Sequence, residues 1–322
     1  MAERSQISRP IPKTISAEAR RFYQTAEPLE RWTLADGGVD TLREEEHAEA
    51  ESTNEAIIET YVGNLEEREL AGVTVQIVTP REYDVRNDGR AILYLFGGAY
   101  VVGSPVVDLS LTARLAHRLG IRVYAPYYRR APEHPFPAAV DDALAVYRAL
   151  LATLEPYGIG IAGESAGGNL TLAMTLRAGD VGLALPAAIV LLSPWCDLTP
   201  SGESQREPEG FDPTLDYALH LEEAAAAYAG GYDHKDPRIS PLYANYTDSF
   251  PPTLITTGTR ELCLSDCARL STVLRRAGVD ARLHVWEGMW HTFEWYHEVP
   301  EAEQSMGEIA AFFREHLVEW HS

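Results

Sequence analysis

The chain has 322 residues, 45% of them hydrophobic and 23% charged, which excludes a collagen-like, coiled-coil or wholly disordered protein. Its 27 Lys and Arg against 48 Asp and Glu leave a net charge of −21, so phosphate backbones and anionic lipid surfaces are repelled and neither nucleic acid nor membrane is expected as a partner. The length suits one large α/β domain or two domains of about 150 residues each.

Residues 1–23 are polar and carry no apolar core of signal-peptide length. Residues 16–23 and 42–61 are charged and helix-like, and the second stretch includes Glu44-Glu45-Glu46. Residues 1–65 are therefore assigned to an N-terminal helical cap segment. From residue 73 onward short apolar runs alternate with helical patterns. Strands are predicted at 73–78, 92–96, 123–126, 159–162, 189–192, 254–257 and 283–286. Helices are predicted at 110–119, 138–154, 169–177, 265–277 and 303–318. This alternation implies an α/β fold with a mostly parallel central sheet flanked by helices, spanning residues 66–322. Residues 199–246 break the rhythm with turn residues and a helix at 215–229. They are read as a cap-like insertion over the C-terminal edge of the sheet, where open α/β sheets bind ligands. The longest apolar stretches, 91–107 and 181–195, are interrupted by Gly, Pro or Ser and are too short to span a bilayer. Cys196, Cys263 and Cys267 are too few and too odd in number for a disulfide framework. They read as reduced thiols of a cytoplasmic protein, with no zinc-like companions.

Gly163-Glu164-Ser165-Ala166-Gly167 follows the predicted strand 159–162 and precedes the predicted helix from 169. The pattern alone is weak, since about one chain in ten of this length carries it by chance. Its context is what counts. A strand-to-helix elbow holds a Ser in a strained conformation with its oxygen projecting, and it needs small neighbours. Such a hydroxyl needs a base, and the base needs an orienting acid, each placed after a successive strand. Glu261 follows the strand 254–257, and His291 follows the strand 283–286. The rival acid Asp266 falls inside the next predicted helix, His284 lies within a strand, and His297 lies deeper in the following segment. Ser165, Glu261 and His291 are therefore the candidate catalytic residues. Phe96-Gly97-Gly98-Ala99-Tyr100 follows the strand 92–96. Paired glycines let backbone approach a ligand, so Gly97 and Gly98, with the N–H of Ala166, are the candidate oxyanion donors.

Together these segments resemble the bacterial hormone-sensitive-lipase-like family of α/β-hydrolases. The likeness runs from about residue 73 to the C-terminus. Its motifs are Arg129-Arg130-Ala131-Pro132-Glu133-His134-Pro135-Phe136-Pro137, the elbow through Asn169, Leu192-Ser193-Pro194-Trp195-Cys196-Asp197-Leu198, Ser240-Pro241-Leu242-Tyr243 and Trp286-Glu287-Gly288-Met289-Trp290-His291. The resemblance implies the α/β-hydrolase fold with an N-terminal cap, no cofactor and no metal. It implies Ser165, Glu261 and His291 as the triad of a serine esterase, and a homodimer paired through the last strand and helix. Two departures stand out. Phe96 replaces the usual His of the oxyanion loop, so the loop must be held by packing. Tyr127 replaces the usual acidic residue or Asn, which leaves the partner of Arg129 unknown.

The implied substrate is a small-molecule ester of short or medium acyl chain. Phe22, Tyr23, Trp32 and Phe211 are candidates for an apolar pocket, and Tyr100, Glu164, Trp195 and Trp290 adjoin the candidate loops and are counted with them. The same residues equally suit packing of the cap onto the core. Two further readings stay open: a lactone hydrolase or deacetylase of a specialised metabolite, and a small-molecule binder of the same fold, as in the plant gibberellin receptors. A complete Ser–acid–His order argues against the binder.

Overall fold

The computed structural model describes residues 10–207 and 211–317. Residues 1–9 of the expected cap segment and Val318, the expected end of the last helix, lie outside the described residues. The strands are β1 (Val62–Leu70), β2 (Val73–Pro80), β3 (Ala91–Leu95), β4 (Arg122–Pro126), β5 (Ile159–Glu164), β6 (Ala188–Leu192), β7 (Thr253–Gly258) and β8 (Ala281–Trp286). They form one sheet in the order β1-β2-β4-β3-β5-β6-β7-β8. The β1–β2 and β2–β4 pairs are antiparallel, and every other pair is parallel. The helices are α1 (Ala17–Thr25), α2 (Gly38–Tyr61), α3 (Leu109–Leu119), α4 (Ala138–Leu151), α5 (Ser165–Asp180), α6 (Glu222–Ala229), α7 (Leu264–Arg276) and α8 (Pro300–His316).

The central strands β3, β5, β6 and β7 are buried along their whole length. Their near-continuous apolar sequence is what a parallel strand covered on both faces requires. Gly160 of β5 leaves room for α8: a Cβ there would stand 2.6 Å from the Phe313 ring and 2.7 Å from Ile92 Cδ1. Strand β1 was not expected. Its Glu66, Glu67, Arg68 and Glu69 form the outer edge of the sheet, where charged residues discourage pairing with other chains. It begins at Val62, inside the segment expected to be cap.

The expected helix 215–229 is two pieces. A π-helical turn at Tyr217–Leu221, started by the Leu219 N–H donating to Asp216 Oδ1 at 3.0 Å, leads into α6. Helix α5 begins at Ser165, four residues before its expected start. Arg129 has its partner: it grips Asp142 through Nη2 to Oδ1 at 2.8 Å and through Nε and its own backbone N–H to Oδ2, each at 2.9 Å. The three cysteines are free and buried. Among the described residues no helix is long and apolar enough to cross a membrane.

Two distant segments roof the sheet. Helix α1 docks through a small second core in which Ile15 and Ala19 meet Met289, Trp290, Phe293 and Val299. Residues 30–32 are tied to the insertion: the Trp32 N–H donates to the Leu219 carbonyl at 3.0 Å, Arg31 Nη1 donates to the Ala218 carbonyl at 2.6 Å, and His220 Nε2 bonds the Glu30 carbonyl at 2.9 Å. Overpacking a filled core costs about 1–3 kcal/mol. Gly160→Ala is accordingly expected to lower stability by about that much in urea unfolding, without changing the slope of the transition; an unchanged midpoint contradicts the packing described.

Candidate active site

Ser165 sits immediately after β5 and opens α5 with φ of +49°, in the left-handed region that a residue with a side chain rarely adopts. The neighbouring glycines make the turn feasible. A Cβ at Gly163 would collide with the Gly167 carbonyl, and one at Gly167 with the Leu95 carbonyl. The turn aims the hydroxyl at His291. Its Oγ lies 2.9 Å from His291 Nε2, and His291 Nδ1 lies 3.0 Å from Glu261 Oε2. The other Glu261 oxygen accepts from the Thr257 hydroxyl and from the Gly258 N–H at 3.2 Å. A carboxylate with these partners only accepts, so Nδ1 carries the proton and Nε2 presents a lone pair to the serine.

The site is largely buried. Ser165 is 5% exposed, and Glu261 is fully buried. Burial pushes the Glu261 carboxyl up and the His291 imidazole down. Two further carboxyls, Asp212 and Glu294, oppose the shift on His291. Asp212, from the insertion, was not foreseen. It is buried and accepts the Leu262 N–H at 3.1 Å, beside Glu261, as well as the Thr214 N–H and hydroxyl at 2.9 and 2.8 Å. Burial lifts it to about 6. An acidic residue in a loop of turn formers gave no periodic signal by which to find it.

The rival groups lie elsewhere. Asp266 Oδ2 accepts the Asp197 N–H at 3.0 Å, His284 pairs with Glu308, and His297 pairs with Glu298.

The oxyanion loop differs in one donor from expectation. The Gly97 N–H is turned toward the buried carboxyls of Glu164 and Asp108. Gly98 (φ +89°), Ala99 (φ +51°) and Tyr100 (φ +65°) then run through left-handed backbone, and the Gly98 carbonyl accepts the N–H groups of Val101 and Val102, each at 2.9 Å. No backbone partner accepts from the N–H groups of Gly98 and Ala99 among the described residues. Ala166 lies in the first turn of α5, whose N–H groups have no intrahelical partner. Phe96 supports the loop by packing. Its ring stacks on Tyr128 at 3.9 Å, and the Tyr128 hydroxyl donates to the Phe96 carbonyl at 2.7 Å.

Most of the expected pocket residues hold the architecture instead. Phe22 stacks on Trp290 at 3.9 Å, the Tyr23 hydroxyl donates to the Gly288 carbonyl at 2.7 Å, and Trp290 is fully buried, so these three fasten α1 to the His291 loop. Trp32 packs on His220 within the cap. Tyr100 stacks on Tyr228 and donates to Asn169 Oδ1, and Trp195 is fully buried with its backbone N–H donating to the Ser165 carbonyl. Glu164 is buried beneath the oxyanion loop. Phe211, beside Asp212, is half-buried.

A sheet of this order with a nucleophile elbow after its central strand defines an α/β hydrolase, and the profile of the α/β hydrolase fold matches residues 92–295. The chain belongs to that family and, within it, to the bacterial hormone-sensitive-lipase group. An esterase of that group with a solved structure is 33% identical, covers 94% of this chain and 99% of its own, and superposes with a TM-score of 0.83. Esterase E25 is 30% identical over 97% of each chain, with a TM-score of 0.88. An acetyl-hydrolase of Streptomyces hygroscopicus is 40% identical over 231 residues, which is 71% of this chain and 77% of the relative.

Burial favours the neutral imidazole, so His291 is expected to titrate below the ordinary 6.5 of histidine. Asp212→Asn removes a negative charge that favours the imidazolium, and the value should fall further. Imidazole NMR titration checks both; a value above the ordinary one, or a rise in the variant, contradicts the electrostatics.

Proposed function

We propose that this protein is a serine carboxylesterase that cleaves short- and medium-chain esters through an acyl-enzyme. One observation carries the reading: Ser165, on a strained elbow, is joined through His291 to the buried Glu261 by hydrogen bonds of 2.9 and 3.0 Å. In the first step His291 Nε2 takes the hydroxyl proton as Oγ attacks the ester carbonyl. Glu261 holds the imidazole and stabilises its charged form. The N–H groups of Gly98, Ala99 and Ala166 face the developing oxyanion, and the positive end of α5 adds to them. His291 then protonates the leaving alcohol, which departs. Water, deprotonated by the same imidazole, attacks the acyl-enzyme and releases the acid and free Ser165.

The burial of Ser165 and Glu261 supports small acyl groups. Likeness to an acetyl-hydrolase points the same way and favours removal of acetyl groups from a larger metabolite as the second reading. The buried, free thiols support a cytoplasmic setting.

Ser165→Ala is expected to abolish turnover of p-nitrophenyl acetate, and a fluorophosphonate probe should label the native chain at Ser165 and leave the variant unlabelled. A native chain that resists the probe, or a variant that keeps full activity, would refute the assignment. In a p-nitrophenyl ester series kcat/KM should peak at short chains; a peak beyond about ten carbons overturns the substrate class, because each extra buried CH₂ would then add its share of about 0.8 kcal/mol.

A further inference from the structure

Beneath the oxyanion loop lies a polar cluster that acyl transfer leaves unused. Glu164 is 2% exposed and Asp108 is 1% exposed. Both carboxyls face the N–H of Gly97, and the Glu164 carboxyl lies so close that a Cβ on Gly97 would collide with it. Each has one firm donor on its far side. The Thr292 hydroxyl donates to Glu164 Oε2 at 3.1 Å, and the Tyr94 hydroxyl donates to Asp108 Oδ2 at 2.8 Å. The remaining oxygens, Glu164 Oε1 and Asp108 Oδ1, are buried without a well-aligned partner. Among the described residues neither carboxyl has a Lys or Arg to neutralise it. Two ionised carboxylates in such a place would suffer both desolvation and mutual repulsion, and carboxyls that share a site keep a proton.

We propose that Glu164 and Asp108 hold one proton between their orphan oxygens, and that this pair is a positioning device which ties the oxyanion loop at Gly97 to the nucleophile elbow and, through Thr292, to the His291 loop. Glu164 is the residue before Ser165, and Thr292 is the residue after His291, so one carboxyl touches all three loops. The other ionisable groups facing the pair are Tyr94 of β3, Tyr128 after β4 and Glu46 of α2. Arg130 stands behind Tyr128 and Glu46. Burial first, and then the Asp108 charge, push Glu164 up; burial and Glu46 push Asp108 up. Burial of both carboxyls, with no cation beside them among the described residues, favours keeping the proton. Its loss to base in alkaline solution puts two like charges under Gly97 and loosens the loop from below.

The activity arm of the test rests on the esterase reading, and the spectroscopic arm does not. Glu164→Gln keeps an acceptor for Thr292 and offers Asp108 a permanent N–H in place of the proton. Glu164→Ala should lower kcat about tenfold with KM little changed, and Gln should restore most of that loss. In the Gln variant the alkaline fall in kcat should move up by about one pH unit or more. Infrared difference spectra, native minus Gln variant at neutral pH, should show a C=O band of an un-ionised carboxyl that the Gln variant lacks, over whatever other buried carboxyls such as Glu261 contribute to both. An alkaline limb identical in native and Gln proteins, or a difference spectrum without this band, overturns the proposal. If the Ala variant does not fold, the Gln variant and the band decide. A native chain that cleaves no ester sinks the esterase reading and leaves the band to settle where the proton is.

Discussion

The parallel register of four neighbouring strands is the constraint on which the site depends. Glu164 at the end of β5 is level with Leu192 of β6, Leu192 with Thr256 of β7, and Thr256 with His284 of β8. The loops that leave these strands therefore start at similar heights, and short connections bring Ser165, Glu261 and His291 to one point. A slip of one residue in any pair would swap the faces on which its side chains pack and move the loop by a residue's length. The full burial of β5, β6 and β7 makes such a slip expensive.

On this scaffold the protein concentrates unfavourable features at the C-terminal edge. Ser165, Ala99, Tyr100, Ser193 and Thr292 all adopt positive φ, and Glu164, Asp108, Glu261 and Asp212 are all buried carboxyls. Strained backbone and buried acid persist only where the surroundings over-determine them. Here the surroundings are tight glycine turns, stacked aromatic pairs and hydrogen bonds from adjacent loops. The outcome is a hydroxyl, an imidazole and a carboxyl held in line by hydrogen bonds, which is the preorganisation that the proposed acyl transfer calls for.

Much of this was legible in the sequence. The seven parallel or core strands read as apolar runs bounded by Gly and Pro, and the order of Ser165, Glu261 and His291 along them pointed to three side chains that the fold brings within hydrogen-bond reach. What escaped has physical causes. Strand β1 is polar because it lies at an edge, so no alternation marks it. The paired glycines at 97 and 98 announced a backbone approach, but which N–H faces the ligand depends on the buried Glu164 and Asp108 beneath. The aromatic residues near the site were legible as a group, whereas their division between pocket and packing depends on stacking partners far along the chain, as with Phe22 on Trp290 and Tyr100 on Tyr228. Asp212 draws its importance from Leu262 and His291, which only the folded chain brings near.

The roof over the site is stitched in good part through main-chain carbonyls, those of Glu30, Ala218 and Leu219. A carbonyl is the same whichever side chain its residue carries. Substitutions along residues 24–36 or at positions 218 and 219 can thus reshape the underside of the roof while leaving its seam intact. Ser165, Glu261 and His291 sit on loops that leave the sheet and not on this seam, so under the proposed function the surface above them can vary while the three side chains keep their places.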